Sequence, residues 1–252
     1  MHFNGSRSRL HDMNVIESES FALLSPRKAW LCLCMVCLAW FHGVGGFAIH
    51  AQEEGRDFSR WESSMQAFES TDRQKPDRIG GVMFLGSSSM RMWKTLESDF
   101  PEQRVINRGF GGSTLPDSIH FFDRLVMPIK PSIIVLYAGD NDVAEGHSAE
   151  RVYQNFKTFV RLVKKQLPRT KVIFVSIKPS LKRWNLAPVM KRANRKIANY
   201  AFWHGKVSFA NVWDTMLGED GRPRPELFIA DGLHLSAEGY ATWAQTIRPM
   251  VQ

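Results

Sequence analysis

Five short segments rich in Val, Ile, Leu and Phe recur from residue 79 onward, and helical patterns separate them. Buried strands that alternate with helices are typical of a parallel sheet covered on both faces, so this alternation limits the possible folds more than any other feature. We predict strands at 79–85, 105–107, 133–138, 172–177 and 207–210. We predict helices near 117–127, 149–167, 186–203 and 236–249. The chain is therefore expected to be an α/β protein with one main domain.

The beginning of the chain has the pattern of a secretory signal. Two basic residues precede an uninterrupted apolar run at 29–41, and small residues follow it up to Ala51. The run alone is shorter than the roughly 20 apolar residues that cross a bilayer. Extending it to Ile49 adds three glycines and a histidine. We expect export to the periplasm or the medium with removal of residues 1–51. A membrane anchor formed by 29–49 is the alternative.

All three cysteines lie inside this leader, at Cys32, Cys34 and Cys37. A disulfide-stapled fold and a four-cysteine zinc site are therefore excluded. Without the leader the chain has no cysteine, which suits an oxidising compartment. The histidines at 120, 147 and 204 lack Cys, Asp or Glu at a convincing ligand spacing. We expect no metal and no organic cofactor.

One apolar stripe at helical spacing precedes the first predicted strand. Its members are Phe58, Trp61, Met65 and Phe68. They predict an N-terminal helix that packs on the main domain. We divide the chain into a leader at 1–51, this helical segment at 52–78 and the main domain at 79–252.

Polar residues follow the predicted strands, and in a parallel sheet the functional loops lie at the carboxyl ends of the strands. Serine attacks a carbonyl group once a base takes its proton, and a neutral histidine oriented by a carboxylate is such a base near pH 7. Asp231 and His234 are three residues apart, so one loop can present both. The turn after the first strand offers Ser87, Ser88 and Ser89, which all qualify by residue type.

An ester hydrolase also needs donors aimed at the oxyanion of its tetrahedral intermediate. Backbone N–H groups of a glycine loop or an asparagine amide can supply them. Gly112 and Asn141 occupy the loops after the second and third strands. The residues alone thus indicate a hydrolytic site at one edge of the sheet.

At these positions the sequence resembles the SGNH hydrolases, also called the GDSL esterase/lipase family. The resemblance extends over about residues 79–250 and includes four blocks in the order that the family has. The aspartate that usually follows the first glycine is Ser87 here, which is typical of a Gly-Ser-Ser-Ser type found among bacterial members. The matching blocks lie at 86–90, 107–112, 139–142 and 231–234.

The resemblance implies a role for each matching residue. Ser88 would be the nucleophile, His234 the general base and acid, and Asp231 the residue that orients the histidine. The backbone N–H groups of Ser88 and Gly112 and the side-chain amide of Asn141 would form the oxyanion hole. The implied fold is a three-layer α/β/α sandwich with a flavodoxin-like parallel sheet of about five strands. The implied reaction is hydrolysis of a carboxylic ester through an acyl-serine intermediate, without a cofactor.

The substrate class stays open between acetylated carbohydrate, lipid or lysophospholipid esters and thioesters. Since no long apolar lid follows the leader, short acyl groups are favoured. Acyl transfer and a non-catalytic module that binds carbohydrate or lipid are further alternatives. Arg183 and Trp184 follow the fourth strand, and we expect them to line the substrate pocket. A tryptophan that simply packs on the sheet is an equal reading of Trp184.

Positive charge is concentrated in one part of the chain. Lys and Arg outnumber Asp and Glu by 33 to 25, for a net charge of +8. The stretch 151–213 contains fifteen Lys or Arg and no Asp or Glu. One flank of the domain should therefore attract anionic partners, and acidic polysaccharide or anionic lipid of a cell envelope is expected. A solvated face that serves solubility is the alternative. No motif points to nucleic acid, and the oligomeric state is not predicted.

Overall fold

The structure is a computed structural model that describes residues 56–75 and 79–252. The predicted leader lies outside these residues, so the expectations of cleavage, anchoring and export stay predictions. Asp57–Gln252 forms one compact unit. Within the described residues, no helix has both the length and the apolar character that crossing a bilayer requires.

Five parallel strands form a single sheet. They are β1 (Val82–Gly86), β2 (Val105–Gly109), β3 (Ile133–Tyr137), β4 (Lys171–Val175) and β5 (Val207–Ala210). Their spatial order is β2-β1-β3-β4-β5, which is the flavodoxin-like order. The predicted fold class is thereby confirmed.

Nine α-helices of the described residues connect and flank these strands. They are α1 (Glu62–Gln74), α2 (Ser88–Arg91), α3 (Leu96–Asp99), α4 (Leu115–His120), α5 (Phe122–Leu125), α6 (Asp140–Ala144), α7 (Ala149–Gln166), α8 (Ala187–Phe202) and α9 (Ala237–Ile247). The helix predicted near 117–127 is in fact two short helices. They meet at Phe121, which has φ −89° and ψ 13° and so interrupts the helical geometry.

The first strand begins three residues later than its apolar run predicts. Gly80 and Gly81 have φ of 89° and 61°, values that an extended strand does not have. Ile79 is consequently outside the sheet and 59% exposed. The strand proper starts at Val82, where the ladder with β2 and β3 begins.

The sheet separates two layers of core because successive side chains of a strand point to opposite faces. On β1, Met83 and Leu85 join the cluster under α1, α4, α5, α7 and α8. Val82 and Phe84 join the opposite cluster, which contains residues of α2, α3 and α9. All four side chains are buried to 98% or more. These two cores hold the sheet rigid, and with it the edge where its strands end.

Candidate active site

The turn between β1 and α2 presents Ser88 at the carboxyl edge of the sheet. Gly86 ends the strand with φ 146°, and a Cβ there would lie 1.9 Å from the carbonyl oxygen of Tyr137. Only glycine fits this position, so the chain can turn at once into the short helix that starts at Ser88. Ser87 and Ser89 are buried, whereas Ser88 is partly exposed. Of the three serines that residue type left open, Ser88 is the one that points into the site.

Ser88, His234 and Asp231 form a continuous chain of contacts across 146 residues of sequence. His234 Nε2 lies 3.0 Å from Ser88 Oγ. His234 Nδ1 lies 2.5 Å from Asp231 Oδ2. The side chains of His234 and Asp231 are 23% and 36% exposed, so the arrangement is open to solvent and to a substrate.

Asp231 is organised to stay ionised. Partial burial raises the pKa of its carboxyl, but hydrogen bonds from the His234 side chain and from the backbone N–H groups of His234 and Leu233 outweigh this and hold the pKa well below its usual value. Both backbone N–H groups lie 2.9 Å from Asp231 Oδ1. One carboxylate oxygen thus fixes the turn, and the other faces the imidazole.

The loop that carries His234 is anchored on both sides. The backbone N–H of Ile229 donates to the carbonyl of His234 at 2.9 Å, and Phe228 pairs with Leu235 in an antiparallel bridge. Ser236 caps the N-terminus of α9, since its hydroxyl accepts the N–H of Gly239 at 3.2 Å. The imidazole therefore sits on a short segment with little freedom to move.

Gly112, in the loop after β2, and Asn141, in the short helix α6 after β3, lie on the segments that flank the Ser88 turn. The strands β2 and β3 are the two neighbours of β1 in the sheet. Asn141 Nδ2 donates to the carbonyl of Ser113 at 2.9 Å, which joins the two segments. Gly112 is exposed and Asn141 is partly exposed. The geometry therefore brings both sequence-predicted donors to the same edge as Ser88.

Asn107, the first residue of the block that ends at Gly112, has a structural contact that the motif alone did not reveal. Its Nδ2 donates to the carbonyl of Met90 at 2.7 Å, and its Oδ1 accepts the N–H of Gly109 at 2.8 Å. This side chain ties the end of β2 to α2. The spacing between the serine turn and the Gly112 loop is held by that contact.

Arg183 lies next to the Asn141 amide. Its Nη1 donates to Asn141 Oδ1 at 3.1 Å and to Asp140 Oδ1 at 2.6 Å. Lys178 Nζ donates to the other oxygen of Asp140 at 2.8 Å. Burial raises the pKa of the Asp140 carboxyl, but the charges of Lys178 and Arg183 outweigh it, so the pKa is lowered. A buried ion network thereby supports the amide that faces the site.

Trp184, the neighbour of Arg183, packs with other aromatic and basic side chains. Its ring stacks on Trp213 with centroids 6.2 Å apart, and the Arg222 guanidinium lies 5.4 Å from its centroid. The segment just before it does reach the site, since the N–H of Lys182 donates to the carbonyl of Gly232 at 3.0 Å. The expectation that Arg183 and Trp184 line a substrate pocket stays a prediction.

The segment before β1 also reaches the loop that carries Gly111 and Gly112, a contact that sequence reasoning did not find. Trp61 Nε1 donates to the carbonyl of Gly111 at 2.9 Å, and Arg60 Nη2 lies 3.3 Å from the carbonyl of Gly112. Trp61 is 96% buried and packs edge-on against Phe110. The apolar stripe predicted this packing in general, but not that it holds the Gly112 loop.

Among the described residues, no cluster of three or more His, Cys, Asp or Glu side chains has a geometry that could hold a metal ion. The arrangement suits a proton transfer between Ser88 and His234 and the stabilisation of a negative oxygen beside Gly112 and Asn141. Such an arrangement is chemically suited to acyl transfer.

Comparison with known proteins gives a family and a fold. The sequence model of the GDSL-like Lipase/Acylhydrolase family matches residues 80–242, which include all four blocks. The platelet-activating factor acetylhydrolase IB subunit alpha1 of Pongo abelii is 26% identical over 204 residues, 76% of this chain and 83% of that protein. The Homo sapiens subunit is 25% identical over the same shares.

Among solved structures, a GDSL-like lipase from Bacteroides thetaiotaomicron superimposes with a TM-score of 0.61 at 24% identity, over 77% of this chain and 97% of that one. A lipase/acylhydrolase from Enterococcus faecalis gives 0.54 at 18% identity, over 68% and 96%. These superpositions show that the chain has the same overall fold as both proteins. The resemblance read from the four blocks is confirmed by the family match and by these folds.

Proposed function

The chain belongs to the GDSL-like lipase/acylhydrolase family and is a hydrolase of ester bonds, and we propose that it is a serine esterase that works through an acyl-serine intermediate. One observation carries the proposal, the contact chain from Ser88 through His234 to Asp231. It lies where the strand order reverses between β1 and β3, the place at which sheets of this order bind ligands.

In the first half-reaction, Ser88 Oγ attacks the carbonyl carbon of the ester while its proton moves to His234 Nε2. The proton on Nδ1 points to Asp231, which keeps Nε2 free to accept and stabilises the imidazolium that forms. The imidazolium then gives its proton to the departing alkoxide, so an alcohol leaves and the acyl group stays on Ser88.

In the second half-reaction, water attacks the acyl-serine while His234 accepts one of its protons. Collapse of the second tetrahedral intermediate breaks the bond to Ser88 Oγ, which takes the proton back. A carboxylic acid leaves and the enzyme returns to its starting state. No redox step or group carrier is needed for this sequence.

Both tetrahedral intermediates bear a negative oxygen. We assign its stabilisation to the backbone N–H groups of Ser88 and Gly112 and to Asn141 Nδ2. The amide nitrogen of Asn141 has two hydrogens, and one of them is directed to the carbonyl of Ser113. The other is the one assigned to the oxyanion. Arg183 fixes the orientation of the Asn141 amide. A guanidinium can donate only to the oxygen of that amide, so Oδ1 faces Arg183.

The favoured substrates are esters of short acyl groups, acetyl above all. The relatives that support this are named acetylhydrolases and are 25–26% identical to the chain. The partial exposure of Ser88 and His234 also fits a site without a deep acyl tunnel. Lysophospholipase or thioesterase activity and acyl transfer on the same site are the second candidates.

A series of nitrophenyl esters of increasing acyl length, run beside acetylated sugars, tests the acyl preference. We expect kcat/KM to be highest for acetyl and to fall as the chain lengthens. A maximum at eight carbons or more would instead favour a lipid substrate. Adding an alcohol acceptor tests acyl transfer. If the protein transfers acyl groups, the new ester should form faster than the free acid.

Export and attraction to an anionic envelope surface are also proposals. The support for the second is the charge of the stretch 151–213, with fifteen Lys or Arg and no Asp or Glu. The longest helices of this stretch, α7 and α8, expose many of these cations. Fractionation of expressing cells tests export, since a cytoplasmic protein of full length would contradict it.

A further inference from the structure

Two aromatic side chains at the end of α8 are almost fully exposed. Phe202 is 80% and Trp203 is 78% exposed, and their rings meet edge to face with centroids 5.0 Å apart. Phe and Trp are usually buried, and an exposed patch formed by two adjacent aromatic side chains indicates an interaction site. Trp203 also ends the helix, so its position is set by the fold.

This pair lies at the amino-terminal edge of the sheet, opposite the candidate active site. The loop from α8 leads through Lys206 into the start of β5. Lys206 Nζ donates to the carbonyl of Pro168 at 2.6 Å, and the carbonyl of Lys206 accepts the N–H of Val172. The loop before β4 is thus its immediate neighbour, and the two loops form one continuous surface.

The charged side chains of these two loops and of the helix end before them, residues 164–171 and 202–206, are all positive. Arg169 and Lys206 are exposed on the two loops, and Lys171 is exposed at the first position of β4. Lys164 and Lys165 are exposed in the last turn of the helix that precedes them. We call this surface the aromatic edge. It consists of Lys164, Lys165, Arg169, Lys171, Phe202, Trp203 and Lys206.

We propose that the aromatic edge docks the enzyme on an anionic lipid bilayer. Aromatic side chains, Trp above all, settle at the headgroup level of a membrane, and nearby Lys and Arg are attracted to anionic headgroups. A second copy of the chain fits less well, because two such edges would bring like charges together. The proposal concerns a surface remote from Ser88 and does not depend on the reaction proposed above.

Docking in this way fixes the orientation of the active site. The strands are five residues long or shorter, which is about 16 Å from one edge of the sheet to the other. With the aromatic edge against lipid, Ser88 and His234 face the aqueous side. The enzyme would then be held at a membrane while it acts on esters that are not lipids of that membrane.

Quenching of tryptophan emission by brominated lipid tests the docking. The full chain, with its eight tryptophans, is mixed with vesicles of phosphatidylglycerol and brominated phosphatidylcholine, and is compared with Trp203→Phe and Trp184→Phe. Trp184 follows β4 and so belongs to the opposite edge, which makes it the matched control. We expect lipid to quench the emission of the wild type at low salt. Trp203→Phe should reduce this quenching and Trp184→Phe should not. This difference is expected even if the leader also binds lipid, because all three proteins have the same leader.

Charge-reversal variants test whether docking needs electrostatic attraction to anionic headgroups or only the insertion of the aromatic side chains. Arg169→Glu with Lys171→Glu should abolish the quenching of Trp203, whereas Lys94→Glu, in the opposite helical layer, should not. Turnover of a soluble ester should be the same in Trp203→Phe with and without vesicles. Equal quenching in Trp203→Phe and the wild type would overturn the proposal. So would a dimer in solution that Trp203→Ser dissolves, which would assign the edge to a second copy.

Discussion

At the scale of single residues, the site depends on a few side chains that hold others in one orientation. In the proposed mechanism, Ser88 loses its proton to the imidazole of His234, whose tautomer Asp231 sets. The proposed role of Asn141 as an oxyanion donor requires its amide oxygen to point away from the site, and Arg183 donates to that oxygen. Each assignment can therefore be tested by a kinetic effect on the step concerned.

Replacing Asn141 by Ala removes one of three proposed oxyanion donors. We expect kcat to fall about 10²- to 10³-fold, as loss of one such donor does in other serine hydrolases, with little change in KM. Steady-state kinetics with an acetyl ester measures both constants. A rise in KM with kcat unchanged would show that Asn141 binds substrate and does not stabilise the transition state.

Arg183 should act through Asn141, so the two effects should not add. We expect Arg183→Met to lower kcat about tenfold in the wild type and to have almost no effect in Asn141→Ala. Kinetics of the single and double variants completes the cycle. Additive losses would mean that Arg183 has a separate role, such as contact with the substrate itself.

The buried Asp140 network predicts a pH-dependent stability. The folded-state pKa of Asp140 is lowered, so its contribution is complete above about pH 4, near the unfolded value of an aspartate, and is lost as the pH falls through the folded value. Asp140→Asn should lower the free energy of unfolding by about 3–5 kcal/mol at pH 7. Thermal unfolding should show this stability difference between the wild type and Asp140→Asn narrowing as the pH falls below about 4, and a difference that does not change with pH would refute the ion network.

Among the helices and strands, the sequence predicted which elements form better than it predicted where they begin and end. The Val- and Ile-rich runs predicted all five strands because such runs fit a sheet buried on both faces. The start of β1 was wrong because the run includes Gly80 and Gly81, which turn the chain. The helix near 117–127 was wrong because a break at Phe121 leaves no trace in an apolar pattern.

Contacts between elements were the part that the sequence did not reveal. Four blocks indicated Ser88, Gly112, Asn141 and the Asp231–His234 pair because each block has a recognisable spacing. Trp61 has no such block, and its bond to Gly111 joins residues 50 positions apart. A bond of this kind depends on how α1 packs, which periodicity alone does not fix.

The bond from Trp61 to Gly111 should support the oxyanion loop. Trp61→Phe keeps most of the packing and loses the hydrogen bond, so we expect a stability loss of about 1 kcal/mol and a fall in kcat of a few-fold. Met65→Leu, a volume-conserving change in the same buried stripe, is the matched control and should retain kcat. If both variants have the wild-type kcat, the loop is held by other contacts.

At the scale of the whole molecule, the two edges of one sheet have different roles in this account. The carboxyl edge brings together Ser88, Asn141 and His234 from three separate segments, which are the starts of α2 and α6 and the loop before α9. The amino edge presents Phe202 and Trp203 among cations. The two packed cores hold these edges at opposite ends of the same sheet. A protein docked by one edge would therefore present the other edge to water.

Covalent labelling shows whether Ser88 is the activated nucleophile, on which every other proposed role in the site depends. A fluorophosphonate reacts only with an activated serine, so mass spectrometry should find one adduct, on Ser88. Labelling should be absent in Ser88→Ala and strongly slowed in His234→Ala, and ester turnover should fall on the order of 10⁶-fold in Ser88→Ala. An adduct on Ser87 or Ser89, or full turnover by the folded Ser88→Ala protein, would show that Ser88 is not the nucleophile.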